Sequence, residues 1–325
     1  MKTVTPLVIL SLCLFVCLAG PALAAPTAPA RAAQDGATPD DLPPAEAPPE
    51  LSTSDQSKLT RSLKKLTTRK LKARLKVEAD VLAFGRGALP LLVDAAATTS
   101  EAKQEGIARC MLQLADMRDW DLVEQLLDSD EVALRRFAAR KAGELQLAHL
   151  MPALKERLDD EDAEVRLEAS VSVTALGSEA GLNALAVSAL EVFLAEQDPP
   201  DDEFEAAVLE DRGTRIRAAL AGLADMGPHQ ALIARLQSDP DRTKSDPEGA
   251  ALERRSAIEL LRAIGDRAAV RGLSKALDDS HNVVQRDAIN ALRQIVEDAQ
   301  PFDGKSIFQQ INEVKRLKGV LKTWK

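Results

Sequence analysis

The chain has 325 residues, a formal net charge of −9, 45% hydrophobic residues and only 3% aromatics. The acidity is uneven, because residues 1–76 carry a net +5 and residues 303–325 a net +4, leaving −18 for the body between them. Backbone phosphates are held by positive charge, so such a body excludes nucleic acid as the expected partner.

The N-terminus reads Met1-Lys2, then an apolar run from Leu7 to Leu18 broken only by Ser11, then small residues at Ala22 and Ala24. These are the three parts of a secretory signal peptide, with cleavage expected after Ala24 and export to a periplasm or the outside medium. Cys13 and Cys17 leave with it, so the mature chain keeps Cys110 alone and forms no internal disulfide. Cys110 falls in an apolar helical run and reads as a buried small hydrophobe. Residues 25–54 are rich in Ala and Pro, including Pro43-Pro44 and Pro48-Pro49, and are expected to form a disordered, extended tether.

Residues 55–325 are expected to be helical throughout, with apolar residues at three- and four-residue spacing and Pro and Gly falling between helices. Lys58 to Lys76 holds nine positive residues and no negative one, with Leu59, Leu63, Leu66, Leu71 and Leu75 as an apolar stripe. One basic capping helix is expected there. Lys64, Lys65, Arg69 and Lys70 are candidate contacts for an anionic membrane surface or an acidic partner. Trp120, in a turn between helices, has two readings, a buried wedge and an exposed partner anchor. Phe308 and Trp324 lie in a final basic helix expected to cap the last apolar face.

One frame recurs along the chain. Glu164-Val165-Arg166-Leu167-Glu168-Ala169 is matched by Ala133 to Ala138, Thr214 to Ala219, Leu252 to Ala257 and Val283 to Ala288. The aligned residues Ala138, Ala169, Ala219, Ala257 and Ala288 are spaced by 31, 50, 38 and 31, a basal period with two insertions. A second amphipathic segment follows each frame and ends in an acidic turn. No single hairpin of this size covers its own apolar face, so the units must stack. The insertions, Glu196 to Asp211 and Asp239 to Gly249, are expected as loops on one edge. Asp201, Asp202, Glu203 and Phe204 in the first are candidate interaction residues.

With its acidic turn before Val-Arg, mid-helix Ala, closing Leu-Gly and the Ala-Leu-Pro-x-Leu of Ala88 to Leu92, the chain resembles bacterial HEAT-repeat proteins, including the phycobilin-lyase type. The resemblance covers roughly residues 75–298 and implies an all-α solenoid of about six or seven helical hairpins, here with a basic cap at each end. Its concave face is expected to be lined by the second helix of each hairpin. The resemblance also implies that Asp160 and Arg166 belong to a structural ladder of Asp and Arg between repeats.

Hydroxylases of this type hold two irons with His-Glu pairs, but His149, His229 and His281 are each followed by another residue and fall in different repeats. No metal, cofactor or small-molecule substrate is expected. The acidic clusters lack the ligand order of a calcium loop, and Cys110 has no local base to activate it. The chain is therefore expected to be no enzyme but an exported scaffold that holds a protein partner, its acidic body favouring basic ligands. The alternatives are membrane-surface binding through residues 58–76 and a bilin-lyase-like enzyme.

Overall fold

The computed structural model describes residues 42–66, 71–97, 100–196, 199–223, 229–237, 245–304 and 306–324. The signal segment, Arg69 and Lys70 lie outside them. Among the described residues there is no strand, and no helix is long and apolar enough to cross a membrane.

The helices run α1 (Thr53–Leu63), α2 (Leu71–Leu82), α3 (Leu89–Ala96), α4 (Glu101–Leu114), α5 (Trp120–Leu126), α6 (Val132–Glu144), α7 (Met151–Glu156) and α8 (Ala163–Ala175). They continue as α9 (Ala180–Ala195), α10 (Glu203–Leu223), α11 (His229–Leu236), α12 (Pro247–Ile264), α13 (Arg267–Ala276), α14 (Asn282–Glu297) and α15 (Ile307–Thr323). The expected basic helix over 58–76 is thus two helices, α1 and α2.

Local chemistry sets the boundaries. The acidic turns cap the helices that follow: the Asp162 carboxylate accepts from the backbone N–H groups of Glu164 (2.9 Å) and Val165 (3.1 Å). Asp246 does the same for α12 and Asp266 for α13. At the other end Gly177 (φ +88°) closes α8 and Gly265 (φ +67°) closes α12 in the left-handed conformation that a side chain resists. Gln146 takes the same conformation after α6, which is why that repeat closes without a glycine.

Helices α2, α4, α6, α8, α10, α12 and α14 pack in succession as one row, and α3, α5, α7, α9, α11 and α13 each pack against a helix of that row. The second segment of one frame packs most closely on the helix after its acidic turn, as α3 does on α4, α5 on α6 and α13 on α14. The aligned alanines Ala138, Ala169, Ala219, Ala257 and Ala288 are all buried.

Two apolar clusters meet on α8. Ala169, Val173 and Leu176 belong to the cluster that starts at Leu59; Leu167 and Val171 belong to the one that ends at Leu317. Burial on both sides explains why Ser170 and Ser172 are also inside, each donating to a backbone carbonyl (Leu167, 2.8 Å; Ala139, 2.7 Å). Gly143 permits the α6 approach, since a Cβ there would collide with Ser172.

Three expectations change. Residues 42–52 lie extended against the first helices, where a disordered tether is expected. Residues 203–211 of the first insertion are the N-terminal part of α10, where a loop is expected; most of the second insertion lies outside the described residues. Asp160 pairs with Arg135 of the preceding repeat (2.9 Å), while Arg166 donates to the carbonyls of Asp160 (2.7 Å) and Glu161 (2.9 Å). The same ladder joins Arg254 to Asp279 (2.8 Å). At the C-terminal end Val314 and Leu317 seat α15 on the core, but Phe308 stays 71% exposed and does not join the cap.

Removal of one partner from a buried ion pair leaves the other charged and unpaired, at a cost of about 3–5 kcal/mol. Arg135→Met is expected to lower stability at pH 7 by about that amount, read as a shift in urea midpoint. Burial favours the neutral form of Asp160, but its hydrogen bonds to Arg135 and the Asp162 N–H outweigh this and hold its pKa below the ordinary value. A depressed carboxylate contributes stability above its unfolded pKa of about 3.9 and loses it as pH falls through the folded value. The deficit of the variant should therefore shrink in acid; a deficit independent of pH would show that packing, not charge, is what Arg135 supplies.

Candidate partner-binding cleft

Charged residues of the frame helices pair from one repeat to the next. Arg109 of α4 reaches Glu78 of α2 (2.8 Å), Arg136 of α6 reaches Glu105 of α4, and Arg255 of α12 reaches Asp287 of α14 (2.6 Å). The pairing stitches neighbouring hairpins along one face.

Helix α10 changes that face. Helix α10 packs on α8 and α12, and also on α9. Its Arg212 pairs with Glu164 and its Arg215 with Glu168, both on α8, and its Asp211 pairs with Arg140 of α6 (3.0 Å). Twenty-one residues give α10 a length of about 32 Å, enough to span neighbouring helices. Burial opposes the charge on Arg215, yet Glu168 and Asp211 together raise its pKa above the usual guanidinium value.

Between α10 and the face formed by α4, α6 and α8 lies a cleft of about 860 Å³. Ala108, Leu112, Phe137, Val208 and Leu209 line its apolar part, and the paired Arg and Glu residues form its rims. The lining comes mainly from α4, α6, α8 and α10, with Ala195 from the second segment α9.

The sequence-derived candidates do not converge there. Lys64 and Lys65 are exposed in the turn after α1. Trp120 is half-buried; its indole Nε1 donates to the Pro43 carbonyl (3.0 Å), and its ring meets His149 edge-on at 5.6 Å. Asp201 and Asp202 are exposed, and Asp202 caps α10 by accepting from the Glu205 N–H (3.0 Å). Glu203 and Phe204 open α10, and their side chains lie outside the described part. Cys110 is buried, and burial followed by the nearby Glu78 pushes its thiol up to about 12, so it is protonated at neutral pH. Among the described residues no group of three His, Cys, Asp or Glu is placed to hold a metal.

The fold is all-α, a solenoid of stacked helical hairpins. No protein-family model matches the chain, and no curated protein matches it in sequence. Among solved structures it is similar to human deoxyhypusine hydroxylase in complex with glycerol, at 18% identity over 83% of this chain and 98% of that one, with a TM-score of 0.31. It is also similar to an engineered protein (18%, 83% and 74%, TM-score 0.29) and to the complex of CpcE and CpcF of phycocyanin lyase from Nostoc sp. PCC7120 (18%, 84% and 97%, TM-score 0.29). By name, the first is an enzyme and the last belongs to one. The expectation that this chain is no enzyme is corrected accordingly, since proteins of similar helical-repeat fold include a hydroxylase and a lyase.

If Glu168 holds α10 over the cleft, Glu168→Gln should leave Arg215 short of a counter-charge and loosen that helix. Loss of a partner for a part-buried charge costs about 1–3 kcal/mol. Amide exchange over residues 203–215 should then accelerate by about tenfold or more, with α12 to α14 unchanged. Equal acceleration along the whole chain would point to global destabilisation and refute the local role.

Proposed function

We propose that the chain is an exported protein of the bacterial HEAT-repeat kind that binds a protein partner in the cleft between α10 and the face of α4, α6 and α8. The observation that carries this reading is the cleft itself, an apolar strip bounded by charged groups. An apolar side chain of a partner gains by leaving water there, while the carboxylates and guanidiniums of the rims keep acceptors and donors facing outward for its backbone. The ion pairs hold the walls before a partner arrives, which lowers the ordering cost of binding. The net −18 of the body favours a basic partner and a salt-sensitive encounter.

Export is supported by the charge, apolar run and small residues of positions 1–24. N-terminal sequencing of the protein isolated from its native host should start at Ala25; a start at Met1 would refute cleavage.

Partner binding is tested by placing a photo-crosslinking amino acid at Val208 in the cleft and, as a control, at the exposed Arg271 of α13. A discrete adduct from position 208 and none from 271 is expected. Adducts of the same mass from both, or from neither, would sink the cleft reading.

A further inference from the structure

Residues 42–51, Leu-Pro-Pro-Ala-Glu-Ala-Pro-Pro-Glu-Leu, run as an extended strap over the first hairpins, and the contacts they make are those of a recognised peptide. The Trp120 indole donates to the Pro43 carbonyl (3.0 Å), and Arg86 Nη2 donates to the Glu46 carbonyl (2.7 Å). The Glu46 N–H donates to the Arg118 carbonyl (3.1 Å), and the Glu46 carboxylate faces Arg118 (3.4 Å) and Arg86 (3.9 Å). Farther along, the strap passes so close to Gly87 that a Cβ there would sit 2.6 Å from the Pro49 carbonyl oxygen. Leu42 and Leu51 rest on the apolar cluster at either end.

The groups that receive the strap are held by other parts of the protein. Arg86 is fixed by the buried Asp119 (2.6 Å), Arg118 by Asp116 (2.7 Å), and Trp120 is braced against His149. The track is therefore formed with or without its occupant, as a binding site is. What it reads is also general: two carbonyls, one N–H, one carboxylate and the slim, extended shape of a proline-rich backbone, with an aromatic donor of the kind that suits such segments.

We infer that the track formed by Arg86, Gly87, Arg118 and Trp120 is a binding site for an extended, proline-rich, acidic segment of a partner protein, filled in the isolated chain by its own residues 42–51. The strap joins α1 through Ser52, so it competes at an effective concentration on the order of millimolar and keeps the track closed to weak ligands.

The test uses the full chain and a labelled peptide of residues 42–51. In the chain carrying L42S, E46K and L51S, all outside the helices, the strap is weakened and the peptide should bind saturably, at least about tenfold more tightly than to the unaltered chain. Adding W120F, which removes the indole donor, and R118A should lower that affinity by about tenfold or more. On the unaltered chain, excess unlabelled peptide should speed hydrogen exchange over residues 42–51. Failure of the peptide both to bind the altered chain and to speed that exchange would overturn the inference. So would affinity unaffected by W120F and R118A. An unaltered chain that dimerises, and is returned to monomer by the peptide, would assign the track to the strap of a second copy instead.

Discussion

Each hairpin in this chain has an apolar face that only its neighbours can cover, and α8 is where that dependence is most complete. Leu167 and Val171 turn towards the C-terminal units, while Ala169, Val173 and Leu176 turn towards the N-terminal ones, so the two apolar clusters are continuous through a single helix. With water excluded from both sides, its serines have no solvent to hydrogen-bond and use carbonyls instead. Its neighbours must come close for this to work. Gly143 on α6 and Gly181 on α9 provide the space, because a Cβ at either would strike an α8 side chain.

Charge is organised by the same stacking. In the ladder of Arg135 with Asp160 and Arg254 with Asp279, a guanidinium from one repeat meets the acidic turn of the next. A second set, from Glu78 with Arg109 to Arg255 with Asp287, also joins neighbouring repeats through largely buried side chains. Buried pairs of this kind add little net stability compared with apolar packing, but breaking one is costly, so they constrain register between units. Where Arg212 and Arg215 of α10 meet Glu164 and Glu168 of α8, the same chemistry fastens a lengthened frame helix beside the cleft. Departure from the regular repeat thus contributes one wall of a concavity in which apolar and charged groups lie side by side.

The N-terminal strap follows a different logic. Its contacts join residues 40 to 77 positions apart and use mostly backbone atoms, so they carry almost no signature in side-chain pattern. A Pro-rich stretch loses less conformational entropy on docking than an ordinary chain, which lets a few hydrogen bonds and two leucines hold it. Composition alone reads the same stretch as a tether, because composition cannot register that Trp120, Arg86 and Arg118 stand in a row.

Sequence by itself determined the helical class, the stacking of hairpins, the turns and the buried alanines, since each depends on periodicity or on capping within a few residues. Ala138, Ala169, Ala219, Ala257 and Ala288 could be aligned from their spacing because a small residue is demanded at one position of every unit. Tertiary structure alone decided that Asp160 meets Arg135, that the frame helices line most of the cleft, that residues 203–211 lengthen a frame helix paired to α8, and that residues 42–51 occupy a track. Those outcomes turn on which long-range surfaces meet once the units have stacked, and a local pattern holds no record of that geometry. The split is clearest for Trp120, expected in a turn between helices: it opens α5, and its partner, the Pro43 carbonyl, left no trace in the sequence.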